Sequence, residues 1–73
     1  MKLWLLTRRE CTWDEDRAFV VRAETDAAAR RVASKSAWPQ NASDDFLNPI
    51  FSDCIEVTTD GAEGVILADY NRD

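Results

Sequence analysis

The sequence predicts an α+β fold. It consists of a four-stranded antiparallel sheet in the order strand, strand, helix, strand, strand, with two hairpins joined through one helix that packs on one face. Three observations predict it. Residues 17–25 and 54–59 alternate apolar and polar side chains with the two-residue period of a strand. The alanine- and arginine-rich stretch after Asp26 carries its small apolar residues at helical spacing. Two loops, one acidic at 10–16 and one holding both glycines at 60–64, fall where hairpins must turn. With 73 residues the chain makes a single domain spanning 1–73. A domain of this size buries only roughly 60% of its unfolded surface, so its core is thin.

The first strand, residues 2–9, places Leu3 and Leu5 on one face and Trp4 and Leu6 on the other. Apolar residues on both faces are the mark of a central strand. In the second strand Phe19, Val21 and Ala23 share a face, and Ala18, Val20, Arg22 and Glu24 share the opposite one. Thr25 or Asp26 then caps the helix, because either side chain can accept from the unpaired amides of a first turn. The helix runs from Ala27 to Ala37, with Ala29, Val32, Ala33 and Ser36 on its inner stripe and Arg30, Arg31 and Lys35 away from it. Pro39 ends it, since the residue before a proline is pushed out of helical geometry. Residues 39–53 read as an irregular loop, pinned by Phe46, Leu47, Ile50 and Phe51, within which 43–47 can form one capped turn. The third strand alternates over 54–59, and a mostly buried fourth, 65–70, closes the sheet.

Charge is unevenly distributed. The net charge is −5, yet residues 1–35 hold eight bases and six acids, whereas residues 36–73 hold one base and eight acids. Direct nucleic-acid binding is therefore not expected, for the helix is too short a basic stripe to outweigh the repulsion. Histidine is absent, which removes the imidazole base and the serine- and cysteine-based triads. Cys11 and Cys54 form no close pair, so zinc sites of ordinary spacing are excluded, and no metal or cofactor is expected. Cys54 reads as a small packed side chain. The apolar run at 3–6 is too short for a signal-peptide core or a membrane span, which predicts a soluble, cytoplasmic protein without membrane contact.

The segments MKLWLLTRRE, AFVVRAETDAAARRVA and GVILADYNRD resemble a group of short proteins from bacteriophages and GC-rich bacteria. That likeness skips 39–53 and concerns fold motifs, so it carries no function. In size, acidity and two-hairpin layout the chain is also similar to phage-encoded anti-CRISPR proteins, compact binders of CRISPR effectors, several of which occupy a DNA-binding surface. This second resemblance implies a non-enzymatic inhibitor of a nucleic-acid-handling complex, with a protein partner such as a subunit of a type I CRISPR surveillance complex. Carboxylates on one strand face stand about 7 Å apart, comparable to successive phosphates. On that reading Asp44, Asp45, Glu56, Asp60, Glu63 and Asp69 carry the contacts, and Trp13 and Trp38 are anchors. The alternative is a general protein-interaction module that uses a sheet edge or the basic helix face, without charge mimicry. An exposed outer strand also leaves a monomer or an edge-strand dimer open.

Overall fold

The computed structural model describes residues 1–9, 17–37 and 43–68. Its elements are β1 (Lys2–Arg8), β2 (Ala18–Ala23), α1 (Asp26–Ser36), α2 (Ser43–Leu47) and β3 (Ser52–Val57). The strands form one antiparallel sheet in the order β2-β1-β3. β1 is thus central, as its two apolar faces predict. Leu6 lies opposite Phe19 on one side and Cys54 on the other, and Leu5 lies between Val20 and Ile55. Both helices cover the face that carries Trp4, Leu6, Phe19, Val21, Ala23 and Cys54.

Local chemistry explains α1. Thr25 is extended, and its hydroxyl oxygen accepts from the Ala28 N–H at 3.2 Å while Asp26 meets the Ala27 N–H at 2.7 Å. The cap is therefore Thr25, with Asp26 compensating the positive dipole end. Ala29 and Ala33 are completely buried, and small side chains there let the helix lie close to the sheet. Val32 and Ser36 do not join them; both are exposed, and Arg30 turns inward instead. The stripe is rotated because α1 faces α2 as well as the sheet.

Three expectations are corrected. There are two helices, not one: the segment expected to be irregular contains α2, whose Phe46 is wholly buried and meets the Phe19 ring edge-on at a centroid distance of 5.2 Å. Asn48 follows as the turn, its side chain accepting from the Ile50 N–H and its carbonyl from the amides of Phe51 and Ser52. β3 begins at Ser52 rather than 54, because Ser52 and Asp53 extend the ladder opposite Arg8 and Thr7. The described part of the expected fourth strand, 65–68, forms no strand, so the sheet has three strands among the described residues. An unbroken apolar run puts side chains on both faces, and among the described residues only one face of this sheet is covered by other elements. Tyr70 and Asp69 lie outside the described residues. No helix among the described residues is long and apolar enough to cross a membrane.

Candidate interaction surface

Two of the carboxylates that the sequence singles out, Asp45 and Glu56, face the chain's own bases. Asp45 accepts from Arg8 through Nη2 at 2.7 Å and Nε at 3.2 Å, and the Arg8 side chain is only 6% exposed. This pair fastens α2 to the end of β1. Asp53 binds Arg9 at 2.9 Å, Glu56 stands 3.9 Å from Lys2, and Glu24 stands 3.8 Å from the terminal amine of Met1. Asp44, Asp60 and Glu63 are exposed and make no ion pair among the described residues. Asp44 sits on the helix layer, whereas Asp60 and Glu63 follow β3 on a separate segment. Trp13, Trp38 and Asp69 lie outside the described residues.

The basic helix face is likewise reduced. Arg30 donates to the Phe46 carbonyl at 3.1 Å, to the Ser52 hydroxyl at 2.8 Å and to the Ser52 carbonyl at 3.2 Å. Ser52 is completely buried, and its hydroxyl passes the chain on to the Asp45 carbonyl at 2.6 Å. Arg30 is thus the clamp between α1, α2 and β3, and of the helix's three bases only Arg31 and Lys35 remain exposed. Residue counting misses this role. An arginine three residues before the inner Ala33 is the only trace of it in the sequence.

Cys54 carries a free thiol on the helix side of β3, packed against the core. Burial pushes its pKa up from the ordinary value, Arg30 opposes the shift and Asp26 adds to it. A raised thiol pKa keeps the reactive thiolate scarce. In a Cys11→Ser background, alkylation of Cys54 near neutral pH should run several-fold slower than in the denatured chain; equal rates would mean that the core does not cover it. Among the described residues no group of three or more cysteines and carboxylates is placed to hold a metal ion.

What the fold leaves open is the sheet itself. The face away from the helices carries Leu3 and Leu5 from β1, Val20 and Arg22 from β2, and Ile55 and Val57 from β3. Val20 and Ile55 are each 60% exposed, while Leu5, which lies between them in the register, is buried. Among the described residues no further strand pairs with the sheet edges β2 and β3. The Arg9 N–H bonds the Phe51 carbonyl and the Arg8 N–H bonds the Arg17 carbonyl. Alternation along an antiparallel ladder then turns the backbone groups of Cys54 and Glu56 away from β1. Neither residue's backbone has a hydrogen-bond partner among the described residues. Sequence reasoning allowed for binding at a sheet edge, but by pairing 65–70 with the third strand as a hairpin it did not place that edge on β3.

Compared with known proteins, the chain matches no family model, no curated protein and no solved structure.

Proposed function

We infer that the protein is a non-enzymatic interaction module that binds another protein by adding a strand to the free edge of β3. One observation carries this reading: β3 is an edge strand whose Cys54 and Glu56 amides and carbonyls face outward, unpaired among the described residues. An extended partner segment laid along that edge gains main-chain hydrogen bonds for affinity, and its alternate side chains meet Ile55 on one face for specificity. The acidic-inhibitor reading is less well supported. Of its six carboxylates Asp45 and Glu56 face their own bases, and only Asp44, Asp60 and Glu63 are left to imitate phosphate among the described residues.

A proline at an outward-facing position tests the edge. Glu56→Pro removes an N–H that the fold does not use, at the kind of edge position where proline is tolerated. Capture of the protein's partner from host lysate should drop at least ten-fold, with the circular-dichroism spectrum unchanged. Glu56→Ala controls for the long, exposed Lys2 pair and should bind normally, since such pairs contribute little. If Glu56→Pro binds as well as the wild type while Asp44→Lys, Asp60→Lys and Glu63→Lys together abolish capture, the edge reading is wrong and the acidic surface is the site.

A further inference from the structure

We propose that residues 65–68 form a strap that docks along the free edge of β3 and competes there with the partner strand, a regulation that rests on partner binding at that edge.

The strap is apolar and open in the structure. Val65, Ile66 and Leu67 are 83, 67 and 42% exposed, and all of 58–68 is exposed. No helix or strand among the described residues includes 58–68, and a Cβ added at Gly61 or Gly64 would meet nothing within 4 Å. The segment therefore has room to swing. Residues 58–64 alone tie it to the end of β3, and so short a link holds it beside the edge at an effective concentration on the order of millimolar.

Gly61 sets the register. An antiparallel return of the chain about this residue places Val65 opposite Val57, Ile66 opposite Glu56, Leu67 opposite Ile55 and Ala68 opposite Cys54. Gly61 already has a φ of +134°, which only glycine adopts without strain, and hairpin reversals use positive φ. The same register matches the free backbone groups. Those of Cys54 and Glu56 face away from β1, so Ile66 and Ala68 fall at hydrogen-bonded positions. Leu67 then lies beside Ile55, which is 60% exposed. Residues 65–68 carry no charge, so Glu56 does not repel them.

Docking is close to balance. Val65 and Leu67 would lie on the sheet face that no described element covers, and a hairpin without such cover is marginal in water. A strap held so loosely yields to a partner segment that pairs along the whole edge.

Amide hydrogen exchange followed by nuclear magnetic resonance reads the strap directly. Ile66→Pro with Ala68→Pro removes two strap N–H groups outside any helix or strand, so the circular-dichroism spectrum should not change. The Cys54 and Glu56 amides should exchange at least about two-fold faster in that variant than in the wild type. Capture of the partner from host lysate should rise by the same factor, because both report the fraction of time the edge is free. Ile55→Cys with Leu67→Cys, in a Cys11→Ser, Cys54→Ala background, should oxidise to a disulfide within the monomer, since facing residues at non-hydrogen-bonded positions lie about 4.5 Å apart. Ile55→Cys with Ile66→Cys puts the second thiol on the other face and should close at least ten-fold slower. The closed disulfide should cut capture at least ten-fold against the reduced form of the same variant. Equal exchange in the proline variant and the wild type overturns the strap, as do equal oxidation rates for the two cysteine pairs. Neither result touches the edge reading, which Glu56→Pro decides. Faster exchange without a rise in capture, or a closed disulfide that leaves capture unchanged, overturns the competition and the edge reading together.

Discussion

Replacing Phe46 by alanine is expected to leave the chain at the edge of unfolding at room temperature. Among the described residues its ring is the largest wholly buried side chain, and it stands against Phe19 in a cluster whose other buried members are Leu6, Val21 and three alanines. Alanines cannot expand into the space, so most of the cavity stays open. Removing a buried phenylalanine side chain costs about 3–5 kcal/mol. A domain of this length holds about 4–11 kcal/mol in all. Denaturant titration followed by far-ultraviolet circular dichroism should show the midpoint moving most of the way to zero. Phe46→Leu keeps most of the volume and should cost less than about 1.5 kcal/mol. A Phe46→Ala midpoint equal to that of the wild type would mean that α2 does not complete the core.

Arg30→Met should be the next most damaging change, at about 3 kcal/mol. It deletes three hydrogen bonds at once and orphans two carbonyls, those of Phe46 and Ser52, both on residues with no solvent contact. Each buried polar group left without a partner costs about 1–3 kcal/mol. Arg30→Lys should recover little, because a single ammonium cannot reach acceptors on two elements in the way that a planar guanidinium does. Arg31→Met, one residue on and exposed, should stay within about 0.5 kcal/mol of the wild type. Equal melting temperatures for the two methionine variants would refute the clamp. The contrast also bears on function, because a loss of binding in an Arg30 variant reports damage to the fold and not a missing contact.

Much of the fold is legible in the sequence where a local signal and a packing demand agree. The alternation Phe19-Val20-Val21-Arg22-Ala23 survives unchanged as β2, and of the two capping candidates, Thr25 and Asp26, Thr25 is the cap observed. Leu3 to Leu6 correctly mark β1 as central, although Leu3 shows that an apolar face need not be a covered one. The misreadings have a common cause. Asp44-Asp45-Phe46-Leu47 has no decisive helical pattern over five residues, and α2 exists because Phe46 has a cavity to fill and Asp45 has Arg8 to meet. Val65-Ile66-Leu67 has strand propensity without alternation, and propensity alone supplies neither a register nor a face. Asp45 and Glu56 looked available because pairing with Arg8 and Lys2, 37 and 54 positions away in the chain, leaves no trace in local sequence.

The position of β1 between two partners has a consequence for biosynthesis. This strand is translated before every other element, yet its second neighbour, β3, is translated last, together with the residues that anchor Arg30. A nascent chain that has completed β1, β2 and α1 still lacks Phe46 and Ser52, so its half-formed sheet has neither its plug nor its clamp. Pairing across so long a separation is slow to close. Until then Leu6 and Val21 lack the Phe46 ring that completes their cover, and such transiently exposed apolar surface is what makes incomplete chains prone to aggregate.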